Sequence, residues 1–277
     1  VDKSRGVNWR FVYTPEAPGR YLLKVRPVTE DGEPSTLVAG FAFEALPAGG
    51  TYGDARIRAV GGSFRDARIF RSRELANLTG EEAAFLSGAL GIATIYDLRT
   101  AAEVAAHPEP YIVGMRTVAL EPSTEHRRKD SDKRLIAGVI ERYGEPEERM
   151  GANYRRYVRE YPLVGQALRS MAAEGRPALI HCVNGKDRTG VLCATLLRAT
   201  GADEDAIMED YLRVNADHAD LIAEEAAHLD GGMTDHERAI LLSFLEARPA
   251  YLRAYFDEID RLYGSFATYL REGLHLT

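Results

Sequence analysis

The segment ALIHCVNGKDRTGVLCATLL, residues 178–197, constrains the fold more than any other part of the chain. An apolar run that predicts a buried strand ends at His181 and Cys182, and the apolar run that begins at Thr189 predicts a helix. Between them lies a short polar loop that contains Gly185. A strand that passes through such a loop into a helix N-terminus turns several backbone N–H groups toward one point, which is the geometry of an oxyanion site.

The chain from residue 51 onward alternates predicted strands and helices. Residues 92–98 and 115–120 predict buried strands, and Thr79 with Glu82 predicts a capping box at the start of a helix. Residues 157–173 predict a helix that Pro162 interrupts or bends. Arg99 and Glu103 are spaced as an i,i+4 ion pair. This alternation predicts an α/β fold with a central, mostly parallel sheet flanked by helices.

The first 47 residues have a different pattern. Runs rich in aromatic and β-branched residues alternate with turn segments and predict a small antiparallel β segment, part of a sandwich. Residues 47–50 resemble a linker, so we expect a β segment over 1–47 and a larger domain over 48–277. Residues 121–150 are charged and weakly periodic and predict a lid insertion. Its cations Arg127, Arg128 and Lys129 would attract an anionic substrate or simply form a solvated face.

Composition excludes several classes of protein. Cys182 and Cys193 are the only cysteines, too few for a disulfide scaffold or a four-cysteine zinc site. The net charge of −7, from 35 basic and 42 acidic side chains, argues against nucleic acid as a partner. No apolar run is long enough to span a bilayer. Because the first residue is Val1, we expect a processed or trimmed chain, which leaves exported, periplasmic and cytoplasmic locations open.

The residue types of the loop predict phosphoryl chemistry. Cys182 lies where the oxyanion donors converge, which favours the thiolate form of a nucleophile. Arg188 has a planar fork that matches two oxygens of a phosphoryl group, Thr189 would donate a hydrogen bond to Cys182, and His181 would support the loop from below. A small buried hydrophobe is the plainer interpretation of a cysteine, and we apply it to Cys193. The predicted phosphate-binding residues are Val183, Asn184, Gly185, Lys186, Asp187 and Arg188.

The same segment carries His-Cys-x5-Arg-Thr-Gly, the signature of the cysteine-dependent protein tyrosine phosphatases. Its fuller form resembles a bacterial branch of that family, with secreted mycobacterial and Listeria members, whose loop reads His-Cys-x-Ala-Gly-Lys-Asp-Arg-Thr-Gly. Residues 70–75, 96–104, 209–215 and 263–274 resemble other blocks of that branch in the same order, so the resemblance covers roughly 48–276. Asn184 replaces the usual alanine, and Gly53 stands where the branch has an arginine.

The resemblance implies the cysteine-phosphatase fold and hydrolysis of phosphotyrosine in a protein or peptide through a cysteinyl-phosphate, without a metal or other cofactor. It implies Asp187 as the acid that protonates the leaving oxygen, while Asp97 at the end of its strand and Glu121 after the strand of 115–120 are rival candidates. Lys186 would add a second cation at the rim. A related lysine occurs in phosphoinositide phosphatases, so a phosphoinositide or inositol polyphosphate is the alternative substrate. A catalytically silent phosphate-binding module is a lower alternative.

Overall fold

The computed structural model describes residues 19–25, 32–33, 39–45, 51–61, 67–120, 146–160, 163–229 and 234–276. The chain divides into two compact units, Val1–Gly49 and Gly50–Thr277. The predicted lid up to residue 145 lies outside the described residues, and so do its basic run, Arg127 to Lys129, and the candidate acid Glu121.

The first unit contains a two-stranded antiparallel sheet. Strand β1 (Gly19–Val25) pairs with β2 (Ala39–Ala45), and Gly19 lies opposite Ala45 at one end of the ladder. Both strands fall within the runs that the sequence assigns to the β segment, so the predicted antiparallel pairing is confirmed. The first of the predicted aromatic and β-branched runs, over residues 8–14, lies outside the described part of the chain.

The second unit is built on a five-stranded sheet in the order β3-β4-β7-β5-β6. Its strands are β3 (Arg58–Ala59), β4 (Ile69–Ser72), β5 (Thr94–Asp97), β6 (Arg116–Ala119) and β7 (Ala178–His181). β3 runs antiparallel to β4, whereas the other neighbours are parallel. The predicted central, mostly parallel sheet is therefore confirmed.

The carboxyl ends of the three central strands meet at one edge of this sheet. His181, the last residue of β7, pairs with Ser72 of β4 on one side and with Asp97 of β5 on the other. All residues of β5 and β7 are buried, as expected for parallel strands covered on both faces. The chain that leaves β7 therefore enters the region where parallel α/β sheets bind their ligands.

Capping boxes begin two short helices beside the sheet. Helix α1 (Gly80–Ala84) starts at the predicted box, in which the Glu82 N–H donates to Thr79 Oγ1 at 3.1 Å, and it continues as a π-helical turn over Phe85–Ala89. Helix α2 (Ala101–Ala106) starts at a second box, formed by Thr100 and Glu103. The second box follows the same Thr-x-x-Glu spacing, so the sequence contains its signal.

The described residues of the helix predicted over 157–173 belong to α3 (Pro146–Glu160) and α4 (Leu163–Glu174), and α3 begins inside the predicted lid. Pro162, where the sequence predicts an interruption or bend, lies outside the described residues. The remaining helices are α5 (Asp187–Ala199), α6 (Glu204–Leu212), α7 (Val214–Asp217), α8 (Ala219–Leu229), α9 (Asp235–Leu245), α10 (Pro249–Tyr263) and α11 (Phe266–Thr268), and a π-helical turn follows over Tyr269–Gly273.

The core of the second unit packs apolar side chains of the sheet against α3, α4, α5 and α10. Val191, Leu192 and Cys193 of α5 are fully buried in it. Burial raises the pKa of the Cys193 thiol to about 12, so this cysteine behaves as the core hydrophobe that the sequence predicts. None of the described helices combines the length and the apolar character that a bilayer-spanning segment needs.

Candidate active site

We define the phosphate loop as residues 182–188, which connect β7 to α5 and include the first two residues of that helix. It passes the end of β4 so closely that a Cβ on Gly185 would lie 2.3 Å from the carbonyl oxygen of Ser72. The φ of Gly185 is 62°, in the left-handed region that favours glycine. The segment that follows β4 also anchors the loop, because the Glu74 N–H donates to the Val183 carbonyl at 3.0 Å. Glycine at this position is therefore required by the path of the loop.

Cys182 lies directly after β7, with 3% of its surface exposed, and it is a free thiol. The next helix, α5, begins at Asp187, so its N-terminal N–H groups and the positive end of its dipole belong to the same short loop as the thiol. The half-buried side chains in the loop are those of Asn184 and Asp187, and the rest are buried. This arrangement is a cradle for an oxyanion with a thiol in its wall.

Arg188 is held in a fixed orientation by Glu103. Its Nη1 and Nη2 donate to the two carboxylate oxygens of Glu103 at 2.6 and 2.9 Å, and Nη1 also donates to the Leu98 carbonyl at 3.0 Å. Glu103 in turn accepts the Thr100 N–H at 2.9 Å in the capping box of α2. The predicted pair of Arg99 with Glu103 is therefore wrong, because the carboxylate reaches the arginine of the phosphate loop instead. A bidentate pair of this kind fixes both the position and the plane of a guanidinium.

Arg99 contacts a different carboxylate, that of Asp97. Its Nε and Nη2 donate to Asp97 Oδ1 and Oδ2 at 3.0 and 2.9 Å, and its backbone N–H donates to Oδ1 at 2.9 Å. Burial alone would raise the pKa of Asp97, but the charge of His181 and these bonds from Arg99 lower it. The rival acid Asp97 thus lies at the predicted strand end with both oxygens in an ion pair.

His181 joins this ion pair to the phosphate loop. Its Nδ1 lies 3.2 Å from the Cys182 carbonyl, and its Nε2 lies 3.0 Å from Glu109 Oε1 and 3.7 Å from Asp97 Oδ1. Burial would lower the pKa of His181, but the close carboxylate of Glu109 and the charge of Asp97 raise it. The ring is therefore placed against the loop backbone, where the sequence expects it.

The other side of the phosphate loop rests on Arg71, which the sequence analysis did not single out. Its Nη2 donates to the Gly185 carbonyl at 2.7 Å, and its Nη1 donates to Asp210 Oδ2 at 2.9 Å. Arg58 donates to the other oxygen of Asp210 at 2.6 Å and lies 2.7 Å from Asp217. The available signal is the arginine within the apolar run of β4, because a buried arginine needs a partner.

Lys186 differs from its prediction as a cation at the rim of the site. Its side chain is buried, and its Nζ donates to the backbone carbonyls of Phe244 and Glu246, the latter at 3.1 Å. Phe244 lies in the last turn of α9 and Glu246 directly follows the helix, where helix acceptors have no partner within the helix. The lysine satisfies them and points away from solvent, so the loop contributes the backbone of Lys186 rather than an exposed ammonium.

Asp187 and Thr189 are the remaining predicted site residues of the loop and the helix that follows it. Asp187 keeps 27% of its side chain exposed, and its Oδ1 accepts a hydrogen bond from the Tyr154 hydroxyl at 2.8 Å. Thr189 is fully buried, and its Oγ1 has no hydrogen-bond partner among the described residues. The expected hydrogen bond from Thr189 to Cys182 is not formed in this structure. A buried hydroxyl without a hydrogen-bond partner is energetically costly.

One group of side chains in the described ranges has the composition of a metal site. Asp97, Glu109 and His181 bring their ligand atoms within 4.8 Å of one another. Arg99 Nη2, however, lies 2.9 Å from an oxygen of each of these carboxylates. The guanidinium occupies the place that a cation would take, so these residues do not fit a metal.

The model of the "Tyrosine phosphatase family" matches residues 52–277 of this chain. The triple specificity protein phosphatase PtpB of Mycobacterium tuberculosis is 31% identical over 261 residues, which is 83% of this chain and 94% of that protein. A putative tyrosine-protein phosphatase of Cupriavidus necator is 28% identical over 230 residues, 79% of this chain and 78% of that protein. The crystal structure of P. aeruginosa TpbA is 20% identical, with a TM-score of 0.34, over 70% of this chain and 97% of its own.

The resemblance that the sequence indicates is thus confirmed over nearly the whole second unit. The matched range contains the phosphate loop, Arg71 and Glu103. This chain belongs to the tyrosine phosphatase family and is a cysteine-dependent phosphatase.

Proposed function

We propose that this phosphatase hydrolyses phosphotyrosine in a protein or peptide through a cysteinyl-phosphate on Cys182. The observation that carries the proposal is the phosphate loop itself, in which a buried thiol, a helix N-terminus and an arginine held by Glu103 belong to one seven-residue segment. The relative PtpB is named as a triple specificity protein phosphatase, which agrees with this substrate and with a wider range. In this proposal all the catalytic residues lie within residues 48–277, and none belongs to the β segment over 1–47.

The first chemical step transfers the phosphoryl group to sulfur. The Cys182 thiolate attacks phosphorus in line, a P–S bond forms, and the bond from phosphorus to the tyrosine oxygen breaks. The loop amides and Arg188 stabilise the negative charge on the equatorial oxygens. Asp187 donates its proton to the leaving oxygen, because it is the half-buried acidic side chain of the loop and keeps contact with solvent.

The second step returns the enzyme to its starting state. Asp187, now ionised, takes a proton from water as the water oxygen attacks phosphorus, and the P–S bond breaks to release inorganic phosphate and the thiolate. The Thr189 hydroxyl, unpartnered in this structure, donates to the departing sulfur. His181 holds the loop backbone at Cys182 throughout. We assign Asp97 to the support of His181 through its ion pair with Arg99 rather than to proton transfer.

The test is turnover of aryl phosphates in the presence of EDTA. Cys182→Ser should lower kcat by more than about 10³-fold, as loss of a nucleophile does, whereas the matched variant Cys193→Ala should retain activity because Cys193 lies in the core. Asp187→Asn should lower kcat about 10²-fold for a poor leaving group and leave a good one unchanged. Full activity of Cys182→Ser would contradict the mechanism, and equal losses for both leaving groups would move the acid role away from Asp187.

A phosphoinositide or inositol polyphosphate is the second candidate substrate, supported by the triple specificity in the name of PtpB. The lysine from which the sequence suggests it, Lys186, donates to backbone carbonyls of α9 and its C-terminal flank, which favours phosphotyrosine. Comparing kcat/KM for a phosphotyrosine peptide and a phosphoinositide decides between them. Stoichiometric binding of phosphotyrosine by freshly reduced protein, without turnover, would instead indicate a silent phosphate-binding module.

A further inference from the structure

Side chains of α3, α5 and α6 form one chain of hydrogen bonds that ends at Asp187 Oδ1. Tyr154 of α3 donates its hydroxyl proton to Asp187 Oδ1 at 2.8 Å. The hydroxyl of Tyr211, in α6, lies 2.7 Å from that of Tyr154. Both phenols are buried, with Tyr154 at 0% and Tyr211 at 1% exposure. The loop carboxylate is therefore the outer end of a three-member hydrogen-bonded chain that runs into the core.

The direction of this chain follows from counting protons. Each phenol has a single proton, and that of Tyr154 is given to Asp187, so the proton between the two tyrosines comes from Tyr211. Burial, together with the nearby charge of Asp187, raises the pKa of both phenols well above the usual value, so both stay protonated at neutral pH. The chain donates from Tyr211 to Tyr154 and from Tyr154 to Asp187.

A carboxyl group whose Oδ1 is an acceptor carries its own proton on Oδ2. We propose that Tyr154 and Tyr211 are positioning residues that hold Oδ1 of Asp187 and so reserve Oδ2 for proton transfer to the leaving group and from water. This inference rests on the proposed function, in which Asp187 is the acid. The two tyrosines act through Asp187 and do not themselves touch the reacting atoms.

The surroundings of Asp187 explain why its carboxyl group needs to be held. Lys186 Nζ lies 3.6 Å from Oδ1, so this ammonium offers the carboxyl group a competing contact. Tyr157 and Tyr251 are also close enough to interact with its charge. Tyr154 holds the Asp187 side chain against a turn toward this ammonium. Its own ring is fixed because it is fully buried and packs edge-on against Tyr157 and Tyr211.

The test measures kcat and KM of Tyr154→Phe and Tyr211→Phe on aryl phosphates whose leaving phenols increase in basicity. Tyr154→Phe should lower kcat about tenfold for the poorest leaving group, part of the 10²–10⁴ that a positioned acid supplies, and should not change it for the best. KM should not change for either. Tyr211→Phe should act in the same direction with a smaller loss. The double variant should equal Tyr154→Phe, because Tyr211 acts only through Tyr154.

The chain offers a matched control in a second pair of buried tyrosines. The hydroxyls of Tyr255 and Tyr269 lie 3.0 Å apart, and that of Tyr255 lies 3.0 Å from Thr195 Oγ1. Tyr255→Phe and Tyr269→Phe remove equivalent buried hydrogen bonds away from the phosphate loop. They should show the same dependence on the leaving group as the unmodified protein.

Three outcomes overturn the inference. If Tyr154→Phe loses the same factor with every leaving group, or behaves as Tyr255→Phe does, its role is structural. If Asp187→Asn shows the leaving-group effect and neither tyrosine variant does, the positioning role fails while the proposed function stands. If Asp187→Asn shows no such effect, the acid assignment and the inference fail together. Should Tyr154→Phe not fold, the dependence measured for Tyr211→Phe against Tyr269→Phe decides.

Discussion

Two buried networks of charged side chains flank the phosphate loop, and they have opposite charge balances. The acidic network lies at the beginning of the loop and the basic network beneath its middle. The acidic network consists of Glu74, Asp97, Arg99, Glu109 and His181. The basic network consists of Arg56, Arg58, Arg71, Arg73, Asp210, Asp217 and His218.

In the acidic network, three carboxylates share one arginine. Arg99 lies 2.9 Å from Asp97, 2.9 Å from Glu109 and 3.3 Å from Glu74. The surplus of negative charge favours a proton on the histidine, and the pKa of His181 is raised although its burial opposes this. The network reaches the loop through His181, which lies against the Cys182 carbonyl.

In the basic network, arginines outnumber carboxylates around the histidine. Arg58 and Arg71 share Asp210 at 2.6 and 2.9 Å. Burial and the charges of Arg73, Arg71, Arg56 and Arg58 lower the pKa of His218 to about 3, in that order of effect. Burial lowers the pKa of both imidazoles, so the opposite directions of their net shifts come from the charges around them.

The largest stability effect is expected when the acidic network loses its single arginine. Arg99→Met leaves Asp97 and Glu109 buried without a guanidinium, and breaking such a pair costs about 3–5 kcal/mol of unfolding free energy. Denaturant unfolding measures it. The control is Arg271→Met, because Arg271 and Glu272 form a well-exposed pair worth at most about 1 kcal/mol. An equal loss in both variants would contradict the assignment of Arg99 as the shared cation.

The sequence predicts those parts of the molecule whose determinants are contiguous. The strand, the loop and the helix of residues 178–200 follow one another directly, and hydrophobic periodicity with Gly185 is enough to place Cys182 at a helix N-terminus. The capping box of Thr79 and Glu82 is equally local. Sheet order is less local, but alternation of strands and helices favours the parallel arrangement found here.

The partners of buried charges could not be predicted in the same way, because they are far apart in the chain. Arg71 meets Asp210, 139 residues away, and Arg188 meets Glu103, 85 residues away. Helical spacing suggests Arg99 as the partner of Glu103, yet the fold brings Arg188 closer. Lys186 is buried because the carbonyls at the end of α9 lie above it, a contact without a sequence pattern.

A smaller loss of stability is expected in the basic network, where Asp210 has two arginines. Arg71→Met removes one of them and leaves Arg58 in place, so we expect a loss of about 1.5–3 kcal/mol, the range for a hydrogen bond to a charged group. The Gly185 carbonyl also loses its donor, so kcat should fall in folded protein. Unfolding and turnover measured on the same samples check both. A loss of unfolding free energy greater than that of Arg99→Met would contradict the comparison of the two networks.

Per pH unit, the smallest effect is the pH dependence that each histidine gives to the free energy of unfolding, and it is also the sharpest test of the opposite charge balance. His218 has a folded pKa of about 3, below its unfolded value near 6.5, so its contribution is present above pH 6.5 and is lost as pH falls. The loss is roughly 1.4 kcal/mol for each pH unit down to about pH 4, because only the unfolded chain takes up the proton. The free energy of unfolding of His218→Gln should therefore depend less on pH than that of the unmodified protein between pH 6.5 and 4.5.

His181 should give the reverse result in a different pH window. Its folded pKa is raised, so its contribution is complete below pH 6.5 and is lost as pH rises through the folded value. His181→Gln should therefore remove a decline of stability that occurs above pH 6.5 and leave the acidic window unchanged. Urea unfolding at a series of pH values, taken as the difference between each variant and the unmodified protein, cancels the groups common to both. If the two differences have the same sign of slope, the comparison fails, because burial alone lowers the pKa of both imidazoles and only a surplus of carboxylates around His181 reverses its direction.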